Sequence, residues 1–359
     1  MSSRMLCSFS TPRSWFRWPD SPSTTLVSNL RTRRRLFDHP ASRESVGAMT
    51  HEWECVVVGG GAAGLSATLV LGRARRRTLL VDAGEQSNRV STGIGGLLGY
   101  DQRPPAELYE TGRRELEAYP TVEYRVGTVV HGAAQDDGFV LSLDDGDRVT
   151  TRRVLLATGM EYCPPELPGL EPLWGKSVFQ CPFCHGWEMR DKRIASLAAG
   201  EEAVHSALML RGWSDDVVLL TDGHPQLDGR DIDQLKAADI IVDDRRIAEL
   251  IGTDGQLTAI AFNDGSRLER DGLLVEAPLR QRSKLAEQLG ATCTPGPLAQ
   301  DTIGIDALHR TSAHTVFAAG DVCTEHPYVA GSIAGGAQAA MIVAQSLLAE
   351  QFGMPYPPE

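Results

Sequence analysis

The chain has 359 residues, 42% of them hydrophobic, 6% aromatic and 23% charged, the composition of a soluble globular protein with room for two or three domains. No run of about 18 uninterrupted apolar residues occurs, which excludes an ordinary membrane-spanning helix. Residues 1–50 hold eight Arg against Asp20, Asp38 and Glu44, a balance of +5 that leaves −17 of the net −12 charge on the remainder, so a polyanion such as nucleic acid is excluded as a partner.

In chain order, residues 1–50 come first; they are rich in Ser, Arg, Thr and Pro, contain Arg31-Thr32-Arg33-Arg34-Arg35, and show no sustained period. They are expected to be a disordered leader of the organelle-transit kind, or an over-long start with translation beginning at Met49. From Cys55 onward, apolar runs alternate with helical stretches. Cys55–Val58 reads as a strand closing on glycines, Ala62–Leu71 as an apolar helix, and Thr78–Val81 as a second buried strand ending at Asp82. The runs Val154–Ala157, Ile194–Leu197, Val217–Leu220, Leu273–Val275 and Val316–Ala318 have the same character, and Val329 to Ala349 reads as a buried helix. Buried strands alternating with helices predict parallel sheets and an α/β fold. Strand-to-helix turns at 58–64 and 197–203 predict two Rossmann-like dinucleotide-binding modules.

The first turn is Val56-Val57-Val58-Gly59-Gly60-Gly61-Ala62-Ala63-Gly64, a GxGxxG between strand and helix. Gly59 suits the tight turn, Gly61 lets the backbone approach a pyrophosphate, and Gly64 lets the helix pack on the strand. Ala62 and Ala63 open that helix, whose positive end favours the anion. Asp82 ends the next strand, 18 residues after Gly64, where an acid accepts from a ribose hydroxyl.

Seven cysteines form no even framework, and no second CxxC completes a zinc site, so no metal is expected and a reducing compartment, the cytoplasm, is. Cys181-Pro182-Phe183-Cys184-His185-Gly186 carries the sharpest chemistry. A CxxC pair permits rapid disulfide exchange, and at a helix start the dipole raises the thiolate fraction. Cys55 and Cys323 read as buried residues at strand edges, and Cys163 and Cys293 as loop residues without a partner.

Leu155-Leu156-Ala157-Thr158-Gly159, followed by Pro164, resembles the ATG-type segment of two-dinucleotide flavoproteins, and Thr315-Val316-Phe317-Ala318-Ala319-Gly320-Asp321 resembles their second flavin signature. The order GxGxxG, ATG, CxxC, degenerate GxGxxA and GD resembles the low-molecular-weight thioredoxin-reductase family over about residues 53–350. That resemblance implies two Rossmann-like modules of three-layer ββα type, the second inserted into the first. The FAD domain would occupy 51–172 and 280–359, and an NADPH-domain-like module carrying the CxxC would occupy 173–279. It implies FAD, held by Gly59, Gly61, Ala62, Ala63, Gly64, Asp82, Asn88, Thr158, Gly159, Gly320 and Asp321, the last on the ribityl chain. A helix near Gly335-Gly336-Ala337-Gln338 would aim its N-terminus at the pyrimidine edge of the flavin, and the protein would be a homodimer. In the family the second cysteine, here Cys184, faces the flavin, and the first, here Cys181, exchanges with substrate. Where the reductases carry an acid next, this chain has His185, which would move a proton to or from a thiol or else pack and cap the helix.

The second turn departs from the family: Ala198 replaces the first glycine, and Glu201 and Glu202 occupy the phosphate-facing positions, where they repel a pyrophosphate. Thr221-Asp222-Gly223-His224-Pro225 stands where NADPH-dependent members carry an Arg-rich segment; Asp222 suits a ribose hydroxyl but opposes a 2′-phosphate, and Arg245 and Arg246 are not placed by the sequence. The chain is most similar to FAD-dependent dithiol oxidases that close disulfides in holomycin and gliotoxin, which share a CPxCHG-type motif. The implied activity is oxidation of a small dithiol to a disulfide with dioxygen as acceptor. The alternatives are a thioredoxin reductase fed by NADPH or ferredoxin, with a thioredoxin-like protein as partner, and a flavin redox sensor. No membrane partner is expected.

Overall fold

The computed structural model describes residues 51–356; the expected leader at 1–50 lies outside the described residues. The chain begins with β1 (Trp53–Val58), α1 (Ala62–Arg73), β2 (Thr78–Asp82), α2 (Pro105–Leu116) and β3 (Val122–Val126), followed by the meander β4 (Val129–Gln135), β5 (Gly138–Leu143) and β6 (Arg148–Leu156). These strands lie in the order β3-β2-β1-β6-β5-β4. β1, β2, β3 and β6 run parallel, with Val57 opposite Leu80 on one side and Leu155 on the other. Burial on both faces explains the unbroken apolar runs. Val56 and Val58 face one core, while Cys55 and Val57 face the other, under α1 and α2.

A short link, β7 (Met160–Tyr162), leads to β8 (Val178–Phe179), α3 (Pro182–His185), β9 (Ile194–Leu197), α4 (Glu201–Leu210), β10 (Val217–Leu220), α5 (Gly229–Ala237) and β11 (Ile241–Asp243). The antiparallel strands β12 (Ile247–Thr253), β13 (Gln256–Phe262) and β14 (Arg267–Glu269) follow, then β15 (Gly272–Val275). A parallel sheet of order β11-β10-β9-β15-β8 results. One of its faces packs on α4 and α5 through Ala203, Ala207, Leu210 and Leu235; the other packs on β12 and β13 through Ile247, Leu250, Ile260 and Phe262. Helices, parallel sheet and antiparallel sheet make the three ββα layers.

The chain then returns. β16 (Leu279–Gln281) pairs antiparallel with β7. After α6 (Leu285–Gln288), β17 (Cys293–Thr294) and β18 (Thr302–Ile303), β19 (Val316–Ala318) joins the first sheet beside β6. The second module is therefore inserted into the first. The last helix, α7 (Val329–Phe352), is the one helix among the described residues with the length and hydropathy of a membrane span. Its small residues have another cause. Gly336 lies so close to α1 that a Cβ there would sit 2.1 Å from the Ala63 carbonyl oxygen, and Ala339, Ala340, Val343 and Leu347 are buried against α1 and β19.

Candidate active site

Both strand-to-helix turns and the cysteine pair open onto one cavity of about 1350 Å³. On the first module it is lined by Gly59, Gly61, Ala62 and Ala63, by Asn88, Thr158 and Gly159, and by Gly320 and Asp321. Gly59, at φ +105°, turns under the sheet end, where a Cβ would lie 2.2 Å from the Ala157 carbonyl oxygen. Gly64 lies beneath the turn, its Cβ position 1.7 Å from the carbonyl oxygen of Gly59, so it permits packing and does not face the cavity. Gly61 faces open space, with Gln86 Cγ 3.8 Å from its Cβ position. Gly320 seats the return of the chain against Ala63, 2.8 Å from its own Cβ position.

Asp82 is in place at the end of β2, but its carboxylate is occupied. Oδ1 accepts from the backbone N–H of Gly60 at 3.2 Å and of Gly84 at 2.9 Å, and Oδ2 from the Tyr124 hydroxyl at 2.9 Å. The Gln86 amide also donates to Oδ1, at 3.1 Å, and to the Gly60 carbonyl. Asp82 thus organises the glycine turn, with the Gln86 amide bridging its carboxylate and the Gly60 carbonyl, and it also lines the cavity. Asn88 accepts from the Tyr109 hydroxyl at 2.6 Å; burial pushes the Tyr109 pKa up to about 12, which keeps it a donor. Asp321 accepts from Ser332 at 2.8 Å, and burial raises its pKa. α7 begins at Val329, as the apolar run from Val329 to Ala349 announces, but Tyr328 and Ser332, not the expected Gly335–Gln338, meet the cavity.

β8 delivers the redox pair. Cys181 is the N-cap of α3, and its carbonyl accepts from the N–H of Cys184 at 3.1 Å. Both cysteines are free thiols, partly buried. A hydrogen bond from Cys184 pulls the Cys181 thiol down to about 7, with help from the backbone N–H groups of Cys184 and Phe183. Cys184 moves the other way: the same hydrogen bond, burial, and the charges of Cys181, Asp321 and Glu188 all raise it. A helix of four residues has almost no macrodipole, so the preferred thiolate is set by the partner sulfur and local N–H groups. From the first module, Gly95 presses on the pair, its Cβ position 2.6 Å from the Cys184 carbonyl oxygen.

His185 stacks on Phe179 with centroids 5.4 Å apart. Nε2 donates to the Gly175 carbonyl at 3.2 Å, which leaves Nδ1 as the lone-pair nitrogen, buried without a partner. Burial outweighs the carbonyl of Gly175 and the charge of Glu188 and lowers its pKa. The second module brings Ala198 and Glu202 to the cavity. Glu276, at the end of β15, joins them; burial and then the Glu202 charge raise its pKa. Glu201 is the first residue of α4. Asp222 stays outside, with Oδ1 accepting from the Ile247 N–H at 2.7 Å. Arg245 is held by Asp243 and by the Phe262 ring at 3.9 Å, and Arg246 packs over Gly223. Arg282, the one Arg or Lys among the described lining residues, sits beside Glu85 and Ser87 of the first module.

The other cysteines differ from expectation in detail. Cys55 is buried in mid-sheet, because β1 is paired on both sides. Cys323 closes a 3₁₀ turn after β19, its sulfur donating to the Gly320 carbonyl. Cys163 leaves β7, and Cys293 lies in β17 and accepts from the Gln281 amide at 3.0 Å.

Residues 53–342 match the family described as pyridine nucleotide-disulphide oxidoreductase. The chain is 31% identical to a thioredoxin reductase, tcpT, of Claviceps purpurea over 310 residues, 84% of this chain and 96% of the relative. Among solved structures, an oxidoreductase from Agrobacterium tumefaciens is 36% identical with a TM-score of 0.78, covering 82% of this chain and 98% of its own. HlmI is 35% identical with a TM-score of 0.78, covering 86% and 96%.

Proposed function

Because the chain belongs to the pyridine nucleotide-disulphide oxidoreductase family, we propose that it is an FAD-dependent dithiol oxidase, closing a small-molecule dithiol to a disulfide with dioxygen as acceptor. FAD is the cofactor of this family, and the first module fits it. The turn at Gly61 leaves room where any side chain would intrude, and Asn88, Thr158, Gly159 and Asp321 line the same cavity. These residues, with Gly59, Ala62, Ala63 and Gly320, are proposed to hold it. Bound FAD supplies the two-electron acceptor that returns the cysteine pair to its disulfide and is itself reoxidised by dioxygen.

The chain's own residues do the thiol chemistry. A substrate thiolate attacks the Cys181 sulfur of the Cys181–Cys184 disulfide; the S–S bond breaks, and Cys184 leaves with the electron pair and takes up a proton. The substrate's second thiol, once deprotonated, attacks the substrate sulfur of the mixed disulfide, closes the product and releases Cys181 as thiolate. A leaving thiol with its pKa near 7 departs faster than an ordinary one, which fits the lowered Cys181. His185 is proposed to position the pair, since one ring nitrogen is bound to Gly175 and the other is buried.

The carrying observation is the contrast between the two turns of one cavity. The first is open at Gly61, whereas the second presents Ala198, Glu202 and Glu276 and gathers no guanidinium. A pyrophosphate and 2′-phosphate are opposed there, so electrons are proposed to enter through the thiol substrate. The reductase names of relatives such as tcpT describe the alternative, a thioredoxin-like partner. Oxygen consumption with a small dithiol, against NADPH plus thioredoxin, tests the choice. Turnover with the dithiol alone is expected; strict dependence on NADPH overturns the reading. A reducing cytoplasm and a homodimer are part of the proposal by family likeness.

A further inference from the structure

The run Gly335-Gly336-Ala337-Gln338 does not meet the cavity, yet its first and last residues are engaged with a histidine. His309 lies in the segment that folds back antiparallel on β19 through the pairing of Arg310 with Phe317. It takes φ +58°, a left-handed conformation that a residue with a side chain seldom holds without a reason. Its ring supplies one. Nδ1 donates to the Ala318 carbonyl at 3.2 Å, and Nε2 lies 3.2 Å from the side-chain oxygen of Gln338. A charged ring gives its N–H to that oxygen, and a neutral ring takes an N–H from the amide turned over, so the contact serves both states. The His309 backbone carbonyl also accepts from the Ala318 N–H at 3.1 Å. Gly335 makes the room: a Cβ there would lie 3.4 Å from the imidazole Cε1 and 3.8 Å from the Gly320 nitrogen.

These contacts close a circuit around the turn that follows β19. From Ala318, the last residue of that strand, the path crosses the His309 ring to Gln338 and runs along α7 to Ser332. It returns through the Ser332 hydroxyl, which donates to Asp321 at 2.8 Å. The Ser332 bond fixes the Asp321 carboxylate only while α7 keeps its place against the end of β19. We propose that His309 and Gln338 are positioning residues for the turn at Gly320 and Asp321: they brace α7 against β19 and so keep Asp321 in place for FAD. The assignment rests on the reading above that this turn helps to hold FAD. Neither residue lines the cavity, so both act through Asp321.

Full-length holoprotein is diluted, and FAD release is followed by the rise in flavin fluorescence, for wild type, His309→Gly, His309→Asn, Gln338→Leu and the variant with both His309→Gly and Gln338→Leu. His309→Gly accepts the backbone and loses both ring contacts, and release about tenfold faster is expected. His309→Asn also accepts the left-handed backbone and carries an amide that can donate to Ala318, so it is expected to recover part of the loss. Gln338→Leu is expected to speed release as well. The double variant should be no faster than His309→Gly, because both changes cut one circuit. With FAD in excess, the melting midpoint of His309→Gly by circular dichroism should stay near that of wild type, since glycine relieves the strain that the lost bonds had offset.

Wild-type release rates in both single variants, effects that multiply in the double variant, or a midpoint that falls in step with release each overturn the proposal. Asp321→Ala is the reference. If it releases FAD quickly while the His309 and Gln338 variants do not, the brace falls and the cofactor site stands. If it releases FAD at the wild-type rate, the placement of FAD at this turn falls, and the brace with it.

Discussion

At the scale of single residues, the two sulfurs of the CxxC are chemically unequal before any substrate arrives. Cys181 is the better nucleophile and leaving group because Cys184 donates to it, and that donation holds the proton on Cys184. The pH dependence follows: below the Cys181 value of about 7 its thiol is protonated and inert, and above it the thiolate reacts. Alkylation of the reduced protein is therefore expected to show a Cys181 midpoint near pH 7; a midpoint above pH 8.5 would mean that the partner sulfur gives no help. Cys181→Ser and Cys184→Ser are each expected to abolish dithiol turnover and to leave the yellow colour of bound FAD, because neither residue belongs to the glycine turn. Gly61→Asp is expected to lose the colour of bound FAD and, with the cofactor, turnover. It places a carboxylate in the open space of the turn and should yield folded, colourless protein, checked by absorbance of the purified fraction.

At the scale of elements, strands were legible wherever burial was two-sided. Ile194–Leu197, Val217–Leu220 and Val316–Ala318 are strands with the very bounds that their apolar runs announce, because parallel strands covered on both faces cannot interrupt those runs with polar residues. The edges of the site were less legible. The apolar run announces the start of α7 at Val329, but nothing local says which of its residues meet the cavity, and Gly336, expected at the flavin end, is a packing residue against α1. The contact of Gln86 with the Gly60 carbonyl depends on the tertiary fold, and no local motif encodes it. The position of Asp82 is legible, but of the four donors that fill its carboxylate only Gly84 and Gln86 are local, whereas Gly60 and Tyr124 lie 22 and 42 residues away and are brought there by the fold. One consequence is testable at the crossing of α1 and α7. A side chain at 336 must displace the Ala63 carbonyl, so Gly336→Leu is expected to cost about 3 kcal/mol or more and to lower the thermal midpoint followed by circular dichroism, with loss of FAD. A melting curve superimposable on wild type would show that the helices separate freely there.

At the scale of the whole molecule, the inserted module keeps the architecture of a nucleotide site and presents acidic side chains to the cavity it shares with the first module. The parallel sheet β11-β10-β9-β15-β8 still delivers a turn and a helix to the cavity, as a nucleotide site requires. What it presents there is Glu202 and, from β15, Glu276, and the Glu202 charge already helps to raise the pKa of Glu276. Adding the phosphates of NADPH brings more negative charge to the same place. At an effective dielectric of about 20, two like unit charges about 4 Å apart repel by roughly 4 kcal/mol, close to a thousandfold in affinity. The cations that would offset this are committed elsewhere: Arg245 to Asp243, Arg246 over Gly223, and Arg282 beside Glu85. Under argon, micromolar NADPH is therefore expected to bleach the flavin far more slowly than an equal concentration of a small dithiol, with both followed by absorbance in a stopped-flow cell. The double variant Glu202→Gln, Glu276→Gln should narrow the gap by removing the repulsion without building a phosphate site. Stoichiometric bleaching of the wild type by NADPH within the mixing time would mean that the second turn still accepts the nucleotide, and the chain would then act as a reductase.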